Sequence, residues 1–344
     1  MSTSDAELLV AVTRGPVTES VHRGHIAVSD SQGRLLAYVG NPHFYTFARS
    51  TAKLLQAIPL LEAGGAERLS LTDAETAITC ASHNGEPEHT QAAMSLLGKA
   101  GLGVSALDCG PQEPLLRREA DRLKYEHVAA APIHNNCSGK HAGMLALASL
   151  MQVSTHQYTH PDHPVQHKML QTVSDMCGIP AERIELGVDG CGVPVFALPL
   201  AALAYGYARL GRPDDLAPKR AEACRRIIAA IRRSPFYLAG TDRYDTRLAE
   251  LTAGRIIGKM GAEGLYAATV PELGIGIAIK VDDGAERALY PVATEALLQL
   301  GLLSEEEAER LAPFHRPDVV NRRHETVGRI QPVFRLIRTQ EHTC

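Results

Sequence analysis

The strongest constraint on the fold is the order in which strand and helix patterns follow one another. Near the start, "ELLVAVTRG" has a β-rich centre and "HIAVSDSQGRLLAYVG" reads as two strands joined by a turn. Near the end, "EGLYAATV" and "GIGIAIKV" are strand patterns separated by a hairpin signal. The region between them is mainly helical in pattern. The simplest fold is one antiparallel sheet assembled from both chain ends, with a helical insert packed beside it.

Several segments of the middle region carry helix patterns with start or stop signals. They are "EHTQAAMSLLGKAGL", "KHAGMLALASLMQ", "HPVQHKMLQTVSDMCG" and "APKRAEACRRIIAAIRRSP". A further segment, "VPVFALPLAALAYGYA", is predicted to be a buried helix, because Pro199 and Gly206 interrupt it and it is too short to span a membrane. The tail from Arg316 onward is predicted to be irregular.

These patterns predict an α+β protein of one domain, residues 1–344, with two lobes. The sheet lobe is expected to comprise roughly 1–45 and 255–344, and the helical lobe roughly 46–254. A chain of 344 residues that is 45% hydrophobic and 22% charged is long enough to bury a large core without disulfides. We expect reactive residues in the cleft between the lobes.

Charge and composition exclude several classes of partner. A net charge of -4 favours neither nucleic acid nor an anionic membrane surface, and the absence of Trp with only 5% aromatics argues against base stacking. The start, "MSTSDAELLVAVTRG", lacks the features of a signal peptide. The seven cysteines are therefore expected to be thiols or metal ligands, and the protein is expected in the cytoplasm.

The stretch "ARSTAKLLQA" places Ser50 three residues before Lys53. On a helix this spacing puts both side chains on one face, where burial and the helix dipole would favour a neutral lysine that accepts the serine proton. A lone Ser-x-x-Lys is weak support, because a serine N-cap followed by a solvated lysine gives the same pattern.

Two further motifs strengthen the catalytic interpretation. Ser82-His83-Asn84 is a Ser-x-Asn, and Lys259-Met260-Gly261 is a Lys-x-Gly expected just before a strand. The order Ser-x-x-Lys, Ser-x-Asn, Lys-x-Gly is that of the serine β-lactamases and penicillin-binding enzymes.

A possible metal site is suggested by "HNNCSGKHAGM" and "GVDGCGVP". Cys137 and Cys191 are candidate thiolate ligands of a soft cation such as zinc. Two cysteines do not complete a tetrahedral site, and simple chemistry points to His134 or His141 as further ligands. Two buried thiols without a metal are the alternative.

The chain resembles the asparaginase II family, the Rhizobium etli type of L-asparaginase. The segments that carry the resemblance are "RSTAKLLQA", "CASHNGEPEHT", "NNCSGKHAGML", "GVDGCGVPVFALPL" and "GKMGAEGLY". The resemblance extends over nearly the whole chain and implies a fold similar to serine β-lactamases and glutaminases. It also implies a homodimer.

The resemblance further implies roles for individual residues. Ser50 with Lys53, and Ser82 with Lys259, would form two Ser-Lys tandems, with Ser50 as the nucleophile. A zinc ion beside the active site would be held by Cys137, Lys140 and Cys191, together with a water, and would tune substrate affinity. Met260 departs from the family pattern, in which this position is usually smaller or hydroxylated.

Five residues are candidates for binding a small zwitterionic substrate. Arg49 suits an α-carboxylate, although a structural ion pair is an equal alternative. Glu263 or Asp189 suits an α-ammonium group. Asn84 and Asn136 either hydrogen-bond the substrate or hold their loops.

The predicted reaction is hydrolysis of L-asparagine to L-aspartate and ammonia through an acyl-enzyme on Ser50. The alternatives are a glutaminase or β-lactam hydrolase of the same fold, and a zinc-dependent ligand-binding protein without turnover. The predicted partners are the small substrate and a second copy of the chain.

Overall fold

The structure is a computed structural model that describes residues 5–339. The parts of the predicted sheet lobe at 1–4 and 340–344 lie outside the described residues. The strands are β1 Glu7–Arg14, β2 Val17–Asp30, β3 Leu35–Val39, β4 Tyr45–Phe47, β5 Glu185–Val188, β6 Pro194–Pro199, β7 Ile257–Gly261, β8 Leu265–Val270, β9 Ile275–Val281, β10 Asp318–Val320, β11 Thr326–Pro332 and β12 Ile337–Arg338.

Most of the described helices lie in the middle of the chain, and three, α13 to α15, follow β9. They are α1 Lys53–Gln56, α2 Ile58–Glu62, α3 Gly65–Arg68, α4 Asp73–Thr79, α5 Pro87–Lys99, α6 Arg117–Tyr125, α7 Ser138–Met151, α8 Pro164–Cys177, α9 Leu200–Gly211, α10 Pro218–Arg233, α11 Phe236–Ala239, α12 Tyr244–Leu251, α13 Glu286–Gln299, α14 Glu305–Arg310 and α15 Ala312–His315. Among the described helices, none is both long enough and apolar enough to cross a membrane.

The main sheet joins strands from both ends of the chain, as the sequence predicts. Its order is β10-β11-β1-β2-β9-β8-β7, with β3 paired to β2 and β12 paired to β3. Every pairing is antiparallel, and β2 pairs with β9 in the register Ala27↔Ala278. The α+β class is confirmed.

Alternation along β9 explains how the sheet is buried on both faces. Ala278 belongs to the apolar cluster that contains Leu203 of α9, whereas Ile277 and Ile279 belong to the cluster that contains Val292 of α13. Successive side chains of a strand point to opposite faces, so the two helices cover the two sides. At Gly276 a Cβ would lie 1.9 Å from the Ala204 carbonyl oxygen, so glycine permits α9 to approach.

Two predictions of secondary structure are wrong. The segment "VPVFALPLAALAYGYA" is a strand, β6, followed by α9, and β6 forms a second sheet of order β4-β6-β5. Pro199 separates the two elements as the residue before the helix. Because a fully buried strand and a buried helix are both continuously apolar, the pattern alone does not separate them.

The tail is also more regular than predicted. β11 pairs with β1, with Val12 opposite Ile330 and Val10 opposite Pro332. Its sequence lacks a clear alternation, because most of its residues are half-exposed although the strand is paired on both sides, to β10 and to β1. Partner strands far along the chain, rather than local propensity, fix this segment as a strand.

Candidate active site

Ser50 lies in a short 3₁₀ turn, Arg49–Ala52, which leads directly into α1. Two hydrogen bonds brace this turn. The Thr51 hydroxyl donates to the Ala48 carbonyl, and the buried Tyr207 hydroxyl donates to the Thr51 carbonyl at 2.6 Å. A serine on a braced turn is held in one position, which favours a reactive role over that of a flexible surface residue.

Lys53 is fully buried beneath this turn, but its hydrogen bonds go to a different loop. Its Nζ donates to Ser82 Oγ at 2.9 Å and to the Ala81 carbonyl at 2.7 Å. Among residues 5–339, Lys53 makes no hydrogen bond to Ser50. The first lysine therefore contacts the second serine in this structure.

Lys259 occupies the centre of β7, and the expected strand, β8, follows the motif at Leu265. It is fully buried, donates to the Met260 carbonyl at 2.8 Å, and lies 3.7 Å from Asp245 Oδ2. Burial lowers the pKa of Lys259 to about 7, against the opposing effect of the Asp245 carboxylate and with the help of the Lys53 charge. An amine with this pKa gains and loses a proton easily at neutral pH.

A glycine brings β7 against the turn that carries Ser50. At Gly261 a Cβ would lie 3.2 Å from Thr51 Cγ2 and 3.4 Å from the Ala48 carbonyl oxygen. Those contacts are tight, so a larger residue would push the strand and the turn apart. The glycine of the Lys-x-Gly motif therefore has a packing role.

A cavity of about 490 Å³ collects several of the predicted residues. Its lining includes Ser50, Ser82, Asn84, Asn136 and Glu263. The serines from two distant loops thus open into one cavity, with the buried lysines behind them.

Three further side chains of this lining bear on recognition. The side chain of Met260, the departure from the family pattern, lines the cavity, as do Arg243 and Glu286. Arg49 and Asp189 do not belong to the lining.

Asn84 is held firmly at the side of the cavity. Its Nδ2 donates to the Thr241 carbonyl at 2.9 Å and to Glu86 Oε1 at 3.2 Å, while its Oδ1 accepts from Arg243 Nη1 at 3.0 Å. The network ties the loop after α4 to the start of α12.

Arg49 and Asp189 pair with each other. Arg49 Nε donates to Asp189 Oδ1 at 3.0 Å, and Gly190 N–H donates to the same oxygen at 2.9 Å. Burial disfavours the charge of Asp189, but the Lys140 ammonium and the Gly190 N–H prevail and hold its pKa below the usual value. The structural ion pair that the sequence offered as an alternative for Arg49 is present, and a role of either residue in substrate binding stays a prediction.

The three predicted metal ligands converge in a buried cluster. Lys140 Nζ donates to Cys191 Sγ at 3.0 Å, and the Cys191 thiol donates to Cys137. That hydrogen bond, together with the Lys53 and Lys140 charges, holds the pKa of the Cys137 thiol well below its usual value. Although burial opposes it, the two sulfur atoms and Asp189 raise the pKa of Lys140.

This donor set fits zinc. Two thiolates and one amine are soft to borderline ligands, and a water would complete a tetrahedron. Binding would require loss of the Lys140 proton, so uptake of the metal would rise with pH. Within the described part of the chain, no group of three or more His, Cys, Asp or Glu residues is arranged to hold a metal ion. His141 points elsewhere, with its Nδ1 2.7 Å from the Tyr158 hydroxyl.

Sequence reasoning missed Asp245 and Arg243. Asp245 is 1% exposed; its Oδ2 accepts from Met260 N–H at 3.0 Å, and its Oδ1 has no hydrogen-bond partner among the described residues. Both residues lie within "GTDRYD", where a charged cluster after a glycine looks like an ordinary exposed loop. The burial of Asp245 is what marks it as a site residue, and this burial is known only once the tertiary structure is known.

The comparisons with known proteins agree with these observations. The L-asparaginase II family profile matches residues 10–332, and the chain belongs to this family. It is therefore an amidohydrolase by family. No curated protein sequence matches the chain.

Three solved structures illustrate its structural similarities. A β-lactamase from Mycobacterium bovis is 14% identical with a TM-score of 0.43, over 81% of this chain and 95% of that one. The D-alanine carboxypeptidase AmpC from Burkholderia cenocepacia is 16% identical with a TM-score of 0.39, over 79% and 93%. The protein Mglu is 15% identical with a TM-score of 0.36, over 82% and 68%.

Proposed function

We propose that this protein hydrolyses L-asparagine to L-aspartate and ammonia, with Ser50 as the nucleophile. The observation that carries the proposal is the shared cavity, in which two serine hydroxyls open above two fully buried lysines. A serine needs a nearby base to attack a carbonyl, and a buried amine supplies one without a histidine.

The reaction proceeds in two halves. Ser50 Oγ attacks the side-chain amide carbon while Lys53 accepts the hydroxyl proton. The C–N bond then breaks, the nitrogen takes up a proton and leaves as ammonia, and an aspartyl ester remains on Ser50. Water attacks the ester carbon and gives up a proton to the lysine base, the C–O bond breaks, and that proton passes to Ser50 Oγ. Backbone N–H groups at Ser50 and near Gly261 are the proposed oxyanion donors, each contributing about 3 kcal/mol.

Ser82 and Lys259 are assigned the relay of the proton to the leaving nitrogen. The hydrogen bond from Lys53 to Ser82 links the first base to this relay. A pKa of about 7 for Lys259 suits a group that must both take and give a proton in one cycle. The nearby Asp245 carboxylate stabilises the charged form of that lysine.

Cys137, Lys140 and Cys191 are proposed to hold a zinc ion beside the cavity. When bound, the ion would supply positive charge and a fixed anchor for these loops, and thereby adjust substrate affinity. Elemental analysis of the purified protein and of Cys137→Ser tests this proposal. A Cys137→Ser protein that keeps its full zinc content would remove the site.

The nucleophile is tested by ammonia release from L-asparagine by Ser50→Ala. The variant is expected to lose activity by at least about 10³-fold, because alanine lacks the hydroxyl that is proposed to form the ester. Ser105→Ala, an exposed serine, is the matched control and should retain full activity. Near-normal activity in Ser50→Ala would contradict the assignment.

The substrate is tested by rates on L-asparagine, L-glutamine and a chromogenic cephalosporin. L-asparagine is expected to give the highest kcat/KM. A higher kcat/KM for L-glutamine or the cephalosporin would change the assigned substrate but not the assignment of Ser50 as nucleophile. Binding of these compounds without turnover would indicate a ligand-binding protein. The homodimer and the cytoplasmic location remain predictions from the sequence.

A further inference from the structure

The lining of the cavity carries an uneven set of charges. Among the lining residues that the structure describes, Arg243 is the one cation, and Glu263 and Glu286 are the acidic groups. Lys53 and Lys259 lie buried behind the cavity rather than in its lining. A substrate that enters therefore meets a single guanidinium group and two carboxylates.

Arg243 is held in place by a network that leaves most of its donors available. The described residues engage one of the five N–H groups of its guanidinium, through Nη1 to Asn84 Oδ1 at 3.0 Å. Asn84 cannot rotate away, because its Nδ2 is bound to the Thr241 carbonyl and to Glu86. Glu86 in turn accepts from the Thr241 N–H at 2.9 Å and from its hydroxyl at 2.7 Å.

A glycine allows this network to form beside the catalytic loop. At Gly240 a Cβ would lie 2.4 Å from Glu86 Oε1 and 2.8 Å from Asn84 Nδ2. The Ser82 and Asn84 N–H groups donate to the Leu238 and Ala239 carbonyls. The segment before Arg243 is thus fixed against the loop of Ser82, and the guanidinium is fixed relative to the reacting serines.

Arg49, the other candidate for the α-carboxylate, pairs with Asp189. Its Nε is bound to Asp189, and its side chain is not part of the lining. A planar guanidinium binds a carboxylate best through two parallel N–H groups, which requires free donors that face the ligand. The described residues engage one N–H of each guanidinium, so both have free donors, but Arg243 lines the cavity and Arg49 does not.

We infer that Arg243 binds the α-carboxylate of the substrate and makes the enzyme selective for amides of α-amino acids. This inference rests on the proposed function, because it assigns a role within the same cavity. Glu263 and Glu286, the two carboxylates of the lining, receive the α-ammonium group. Arg243 is a specificity-determining residue that touches the substrate away from the reacting carbon.

The test compares L-asparagine with 3-aminopropanamide, which has the same amide and amine but no carboxylate. The unmodified enzyme is expected to favour L-asparagine in kcat/KM by about 10²-fold, as suits a lost charge-assisted pair. Arg243→Met should lower kcat/KM for L-asparagine by about the same factor and leave that for 3-aminopropanamide within about threefold. Arg243→Lys should recover part of the loss.

Controls separate a binding role from a structural one. Arg247 is an exposed arginine four residues later that pairs with Glu250. Arg247→Met should leave kcat/KM on both substrates unchanged. Equal losses of kcat/KM on both substrates in Arg243→Met would mean that Arg243 only holds the Asn84 loop, and would overturn the inference. The inference would also be overturned if Arg49→Met, and not Arg243→Met, abolished the preference for L-asparagine.

Failure of the proposed function would look different. The unmodified protein would then release no ammonia from L-asparagine. Calorimetric binding of L-aspartate and of 3-aminopropanoate would still test Arg243, since Arg243→Met should weaken binding of the first by about 10²-fold and leave binding of the second unchanged. Unchanged L-aspartate binding in Arg243→Met would overturn the inference on this readout too.

Discussion

The burial of Lys259 allows a quantitative prediction of how the free energy of unfolding depends on pH. Burial lowers its pKa from an ordinary 10.5 to about 7. At about 1.36 kcal/mol per unit, the fully charged lysine destabilises the folded state by about 5 kcal/mol relative to the neutral one. This cost is complete below pH 7 and vanishes above pH 10.5.

The sign follows from proton binding. Between pH 7 and 10.5 the unfolded chain binds a proton at Lys259 that the folded chain has released, so the free energy of unfolding rises with pH. Integrated from pH 6 to pH 9, this single group contributes a rise of about 3 kcal/mol.

The perturbation is the double variant Lys259→Met with Asp245→Asn. Methionine replaces the aliphatic part of lysine without its charge, and asparagine avoids a buried carboxylate without a counter-charge while still accepting from the Met260 N–H. Urea unfolding, followed by circular dichroism at pH 6, 7.5 and 9 and constant ionic strength, gives the free energies. The rise for the unmodified protein should exceed that for the double variant by about 3 kcal/mol.

A surface lysine provides the control. Lys219→Met, at an exposed position on α10, should keep the pH dependence of the unmodified protein. Parallel curves for the unmodified protein and the double variant would refute the reasoning, because they would mean that Lys259 titrates in the folded state as it does in the unfolded chain.

Three further substitutions test other contacts of the site. Ser82→Ala should lower kcat on L-asparagine by about 10²-fold or more with little change in KM, because it removes the proton relay; an unchanged kcat would remove that role. Tyr207→Phe should lower the free energy of urea unfolding by about 1–2 kcal/mol, because the Thr51 carbonyl loses its donor. A loss below about 0.5 kcal/mol would mean that a water molecule takes the place of the hydroxyl. Gly258→Ala should cost about 1–3 kcal/mol in the same assay, because the new Cβ would lie 1.9 Å from the Tyr266 hydroxyl, and a double variant with Tyr266→Phe should recover part of that loss.

The sequence was informative where the signal is local or where a motif carries its own chemistry. Alternation and turn residues predicted the two hairpins near the chain ends, and the α+β class followed from their order. The spacing predicted Ser50 and Lys53 on one face of a helix, and the structure has them in a 3₁₀ turn and in the helix that directly follows it. The segment before α9 failed because a buried strand and a buried helix share one apolar pattern.

Tertiary structure alone decided which group faces which. Lys53 bonds to Ser82 rather than to its neighbour Ser50, Lys259 lies against Asp245, and Arg243 reaches the cavity through Asn84. Each of these partners is separated in the chain by tens of residues or more, except for the short step from Asp245 to Lys259. Local sequence sets a residue's backbone state, but its neighbours in space depend on how helices and strands pack, and burial by that packing gives a lysine a pKa near neutrality.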